Sequence, residues 1–151
     1  MEIERKYLIN RIPEELNIVR TRDIEQGYLC TEPVVRIRRD NDKYELTYKS
    51  KGFLSREEYN LPLTREAYAH LKEKIDGRLI AKTRYEIPLG ESLTIELDIF
   101  HGDLKPLVLA EVEFPDEEKA NAFIPPEWFG KDVTFSSQYH NSTLSREYRP
   151  K

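Results

Sequence analysis

Charge returns at every second residue in segment after segment of this chain. Glu2, Glu4 and Lys6 alternate with Ile3, Arg5 and Tyr7. In a β-strand successive side chains point to opposite faces, so this spacing puts two carboxylates and an ammonium on one face. The rhythm recurs in Arg36 and Arg38, Thr47 and Lys49, Arg56, Glu58 and Asn60. It recurs again in Lys82, Arg84 and Glu86, in Glu96 and Asp98, and in Glu111 and Glu113. The alternate positions are far more apolar: Val35 and Ile37, Leu46 and Tyr48, Tyr59 and Leu61, Ile95 and Leu97. Unpaired buried charge is costly, so the charged face must meet water, metal or ligand.

A half-buried sheet with its charges in water would show the same alternation. Two features favour a closed sheet with the charges inside. Lys and Arg gather on the middle strands, while Glu and Asp gather on the first and last two. The pairs Glu2/Glu4, Glu96/Asp98 and Glu111/Glu113 each set like charges on one strand face, where they repel unless something positive lies opposite.

Strands are expected over residues 2–9, 25–31, 34–39, 43–50, 56–63, 79–89, 92–100 and 107–114, with 16–22 ambiguous. Asp40-Asn41-Asp42 reads as a hairpin turn. Thr64 starts a helix through Ile75, with Ala67, Leu71 and Ile75 on one stripe. Asp116 caps a short helix over 118–123, Pro126 to Phe129 forms a turn, and 142–148 forms a terminal helix. The expected fold is therefore mainly β (α+β): an eight-stranded antiparallel barrel with a charged lumen and a few flanking helices.

With 151 residues, one domain over 1–151 is expected. The formal net charge of −4 gives no general affinity for nucleic acid. The lone Cys30 excludes an intramolecular disulfide and suits a reducing cytoplasm. The charged start does not read as a signal peptide, and no window reaches membrane-spanning length, so neither secretion nor a membrane location is expected. The apolar outer faces need cover, and a homodimer could supply part of it.

Inside a closed barrel, Glu2, Glu4, Glu58, Glu96, Asp98, Glu111 and Glu113 balance Lys6, Arg36, Arg38, Lys49, Arg56, Lys82 and Arg84. Divalent metal would make the lining positive, which suits a linear triphosphate. Hard oxygen donors without His or Cys point to Mg²⁺ or Mn²⁺.

The Glu2-x-Glu4-x-Lys6 signature and Gly27-Tyr28-Leu29 resemble the CYTH family, the triphosphate tunnel metalloenzymes. So do Val35-Arg36-Ile37-Arg38, Leu46-Thr47-Tyr48-Lys49, Arg56-x-Glu58, Lys82-Thr83-Arg84-Tyr85, Glu96-Leu97-Asp98 and Glu111-Val112-Glu113-Phe114. The likeness spans nearly the whole chain. It implies an eight-stranded tunnel that binds triphosphate compounds with a divalent metal, most like small bacterial inorganic triphosphatases. Two positions depart from the family pattern. Asn60 stands where many relatives carry a third acid, and Gln138-Tyr139-His140-Asn141 lacks the basic residue that often precedes the Tyr.

The implied reaction is metal-assisted hydrolysis at a terminal phosphoryl group, releasing orthophosphate. Lys6, Arg36, Arg38, Lys49, Arg56, Lys82 and Arg84 are the candidates for holding phosphate oxygens. Glu2, Glu4, Asp98, Glu111 and Glu113 are the candidate metal ligands. Glu2, Glu4, Lys82 and Glu113 are the candidate catalytic residues, and Glu58 and Glu96 could orient the arginines. A class IV-like adenylyl cyclase or a thiamine triphosphatase would use the same lining, and a non-catalytic sensor would only grip the anion. Tyr28, Phe53 or Tyr139 could stack a base, although each fits core or rim packing better. His70, His101 and His140 are too scattered for zinc and read as surface or packing residues. Ser55 and Ser145 lack a nucleophile's partners, and Gly27 is no phosphate loop.

Overall fold

The charge alternation folds as strands. The computed structural model describes residues 1–90 and 92–145. Its strands are β1 (Glu2–Leu8), β2 (Arg20–Thr31), β3 (Val34–Asp40), β4 (Lys43–Lys49) and β5 (Ser55–Arg56). They continue as β6 (Glu58–Leu63), β7 (Asp76–Leu89), β8 (Leu93–Phe100) and β9 (Val108–Glu113). One sheet runs in the order β5-β1-β9-β8-β7-β2-β3-β4-β6. Every described pairing is antiparallel. The two ends of that order, β5 and β6, are separated in the chain by Glu57 alone, so the sheet curls into a nearly closed barrel.

This junction corrects the expected count of eight strands to nine. The stretch expected as one strand over 56–63 changes partners at Glu57. Glu2 and Ile3 pair with Arg56 and Ser55 on one side, while Lys49 pairs with Glu58 on the other. Two further boundaries move. β2 begins at Arg20, because Arg20 to Gln26 pair with Glu86 to Ile80 of β7. β7 begins at Asp76, which already pairs with Tyr28. That start cuts short the helix expected through Ile75: α1 covers Arg65–Lys72, with the Thr64 hydroxyl accepting from the Ala67 amide. α2 covers Glu117–Ala122 beneath its Asp116 cap. α3 covers Asn141–Leu144, and the rest of the expected terminal helix lies outside the described residues.

The apolar faces point outward and are covered unevenly. Over β1, β7, β8 and β9, the chain buries Ile3, Tyr7, Ile87, Ile95, Leu97, Val112 and Phe114 beneath Ala120 of α2 and Phe129. Residues 130–134 run along β1: the Leu8 amide donates to the Lys131 carbonyl at 2.8 Å, and the Val133 amide donates to that of Lys6 at 2.9 Å. By contrast, the outer face of β6 leaves Tyr59 59% and Leu61 58% exposed. Among the described residues, no helix is long and apolar enough to cross a membrane.

The interior is not charged throughout. At one end Ile80, Phe100 and Leu109 join Tyr28 and Val34, and Leu104, Val133 and Leu144 pack against them. The strand residues among these fall on the same strand faces as the charged lining, so hydrocarbon takes up one end of the inner face and charge the rest.

Gly27 sits at the register shift of β2 against β7, between Gln26 and Tyr28, and a shift against β3 follows between Tyr28 and Cys30. A Cβ there would stand 2.8 Å from Cγ2 and 2.9 Å from Cδ1 of Ile75. Overpacking of this kind costs about 1–3 kcal/mol. Gly27→Ala should lower stability by that amount in urea unfolding, and adding Ile75→Val should recover part of it. An unchanged midpoint would show that the site has room to spare.

Candidate active site

The inward residues of β1 to β9 surround a cavity of about 170 Å³. Its ionisable lining divides into seven cations and seven carboxylates among the described residues. The balance matches the expected one, but two members differ. Arg22 and Glu45 line the space, whereas Lys82 and Asp98 lie behind it, fully enclosed near the apolar cluster.

The cavity's charges are not evenly paired. Glu2 accepts from Lys49 Nζ at 2.9 Å and from Arg56 Nε at 3.2 Å. Burial alone would raise its carboxyl, but Lys49 and Arg56 outweigh that and bring it down to about 2. Glu111 lies 3.7 Å from Lys6 Nζ and 3.9 Å from Arg84 Nη2. Burial again opposes ionisation, and Lys6, Arg84 and Lys82 hold this carboxyl well below its ordinary range.

Glu4 and Glu113 behave in the opposite way. They are direct partners across β1 and β9. Like charges in directly opposite positions destabilise a sheet. Burial, Glu111 and Glu2 push the Glu4 carboxyl well above its ordinary range. Burial and the charges of Glu2, Glu58 and Glu96 raise Glu113. Glu2 and Glu111 are thus compensated, whereas Glu4 and Glu113 are short of cations.

Two anchoring systems hold the basic wall. Asp98 accepts from Arg84 Nε at 2.7 Å and Nη2 at 2.8 Å, and it lies 2.7 Å from Lys82 Nζ. Lys82 also reaches Asn141 Oδ1 at 3.4 Å and sits over the Phe100 ring. Burial pushes the Lys82 ammonium down to about 7, aided by Arg84 and Arg38 against the pull of Asp98. At the other end Arg22 pairs with Asp40, and it reaches Glu86 at 3.1 Å and Glu96 at 3.5 Å. Glu96 is 3.3 Å from Arg84, and Glu58 is 3.4 Å from Lys49.

The arginines of β3 have neutral partners instead. Gln26 Oε1 accepts from Arg38 Nε at 2.8 Å and Nη2 at 2.5 Å. Arg36 Nη2 donates to Thr47 Oγ1 at 3.0 Å, and that hydroxyl donates to Asn60 Oδ1 at 2.5 Å. Burial, Arg36 and Arg84 push Arg38 down to about 9.

Sequence reasoning missed several lining residues. Arg22 lies on a stretch read as ambiguous, although Arg20 and Arg22 share the two-residue rhythm. His140, read as a surface or packing residue, lines the cavity beside Asn141 and Ser142, with its ring 5.2 Å from that of Phe53. Burial and the nearby Lys6, Arg56 and Lys49 push its imidazole down to about 4, so it is neutral near pH 7.

The donor set suits a hard divalent cation. Glu4 and Glu113 offer oxygen atoms, lack cationic partners among the described residues, and gain ionised character from any positive charge placed between them. No three of His, Cys, Asp or Glu form a ready-made metal cluster among the described residues. Water or ligand oxygens would therefore complete the coordination, as is usual for Mg²⁺. Asp98 already gives its oxygens to Arg84 and Lys82, so its service as a ligand would require one of those contacts to open.

Comparison with known proteins agrees with this geometry. The chain is 43% identical to an inorganic triphosphatase of Nitrosomonas europaea, over 95% of this chain and 96% of the relative. It is 36% identical to an inorganic triphosphatase of Acetivibrio thermocellus, over 95% and 92% respectively. A crystal structure of an inorganic triphosphatase superposes with a TM-score of 0.72 at 38% identity, covering 99% of this chain and 97% of that one. The family model described as CYTH domain matches residues 1–149, and the chain belongs to that family.

Proposed function

We propose that this protein is a divalent-metal-dependent hydrolase that cleaves inorganic triphosphate and releases orthophosphate. The observation that carries this reading is the opposition of cation-poor Glu4 and Glu113 to a wall of Arg36, Arg38 and Arg84 in one cavity. The wall suits phosphate oxygens, and the two carboxylates suit the cation that accompanies them. Relatives named inorganic triphosphatase across nearly the full chain support the same reading.

Arginine forks would hold phosphate oxygens in bidentate fashion, while Lys6 and Lys49 would act as point charges. Glu4 and Glu113 would hold Mg²⁺ or Mn²⁺, with Glu2 and Glu111 beside them. When bound, the metal would neutralise phosphate charge and acidify a water. Arg84, kept rigid by Asp98, would stabilise charge as the terminal phosphoryl group departs. Lys82 would support this wall from behind. Glu58 and Glu96 would keep Lys49 and Arg84 in place. A homodimer formed through Tyr59 and Leu61 would cover the exposed face of β6, and a monomer in sedimentation velocity would refute it.

The decisive assay compares phosphate release from tripolyphosphate, pyrophosphate, ATP and thiamine triphosphate, each with Mg²⁺, Mn²⁺ or EDTA. The expected result is fast release from tripolyphosphate that EDTA abolishes. Cyclic AMP formation from ATP would instead indicate a cyclase. Tight binding without turnover on any substrate would indicate a sensor.

A further inference from the structure

We propose that Gln26 and Thr47 are positioning residues that fix the Arg38 and Arg36 guanidiniums without neutralising them, so that the β3 wall presents to the phosphate chain one positive charge with no ion pair, Arg38, and one paired only at long range, Arg36. This rests on the triphosphatase reading for its substrate, but its charge logic stands on the cavity alone.

The contrast within the site motivates it. Arg84, Arg22 and Arg56 each have a carboxylate within hydrogen-bond reach. Arg38 makes no ion pair among the described residues, although it is 7% exposed. Its fork is closed by a single amide oxygen. Gln26 is fully buried, and its Nε2 has no partner among the described residues. The amide therefore satisfies Arg38 at the expense of its own other end. Arg36 is 4% exposed, and its nearest carboxylate, Glu45, is 3.9 Å away and partly in solvent. Its close partner is the buried Thr47 hydroxyl, which donates onward to Asn60.

A carboxylate in place of either neutral group would hold the same fork and cancel its charge. An amide and a hydroxyl provide orientation only. Two buried guanidiniums left in this state repel each other until an anion arrives, and Arg38 is displaced downward first by burial and then by Arg36 and Arg84. The ligand class this favours is a compact polyanion.

Gln26→Glu tests the idea, read by thermal unfolding, by calorimetric Kd for tripolyphosphate in EDTA, and by KM with metal present. The variant should be at least as heat-stable as wild type, because it relieves repulsion. Its Kd and KM should rise roughly tenfold, the scale of one lost charge-assisted contact. The dependence of Kd on salt should flatten. Gln26→Met removes the acceptor but keeps the charge, so it should weaken binding and leave the salt dependence unchanged. Asn60→Asp, at an exposed position, should shift Kd and salt dependence in the direction of Gln26→Glu by about threefold, and it carries the test if the buried variant does not fold.

A folded Gln26→Glu protein with wild-type Kd and salt dependence overturns the inference, even if wild type hydrolyses tripolyphosphate. A wild type that binds tripolyphosphate without turnover overturns the triphosphatase reading and leaves the Kd comparison to judge this one. A wild type that does neither overturns both.

Discussion

A Glu4→Gln protein is expected to fold, to lose kcat by roughly 10³-fold, and to stop gaining thermal stability from Mg²⁺ or Mn²⁺. The reason is the position of Glu4 opposite Glu113, where among the described residues it makes no ion pair and where burial, Glu111 and Glu2 outweigh Lys49 and Lys6. Its folded carboxyl is raised, so the native state holds its proton more tightly than the unfolded chain does. Stability then falls as pH climbs through the raised range, and the full penalty applies above it. Gln removes that slope. Without metal, the variant should unfold at the same temperature as wild type in acid and at a higher one in mild alkali. Adding metal should raise the wild-type midpoint by mass action and leave the variant where it was. A folded variant with full turnover would remove Glu4 from the metal site.

Asp98→Asn should produce the largest loss of stability in the barrel. Its carboxylate is fully enclosed and is shared by Arg84 and Lys82. Burial opposes its ionisation, but Arg84 and Lys82 overcome that and hold the carboxyl below its usual range. Removing the anion would strand two buried cations beside Arg38, and breaking such a pair costs about 3–5 kcal/mol. Urea unfolding should show a loss on that scale, and tripolyphosphate should restore part of it by supplying negative charge to the same wall. A loss of metal affinity with no change in stability would instead identify Asp98 as a ligand.

Much of this arrangement is legible in the sequence because strand periodicity assigns faces. Glu2, Glu4 and Lys6 had to share a side, and so did Glu111 and Glu113. Depth along the barrel carries no such mark. Lys82 and Asp98 lie on the lumen side as their spacing requires, yet they are too close to Phe100 and Leu109 to reach the cavity. Gln26 escaped because a search for charge passes over an amide. His140 escaped because it enters from a segment outside the sheet, where no period indicates direction. The break at Glu57 depends on two strands taking different neighbours, and alternation is the same on both sides of it.

The apolar cluster of Ile80, Phe100, Leu109 and Leu144 has a consequence for traffic. A hydrated polyanion cannot thread past hydrocarbon, because shedding water without replacement partners costs too much. A bound polyanion is therefore held to the charged part of the inner face, where Lys6, Lys49 and the arginines can replace its water.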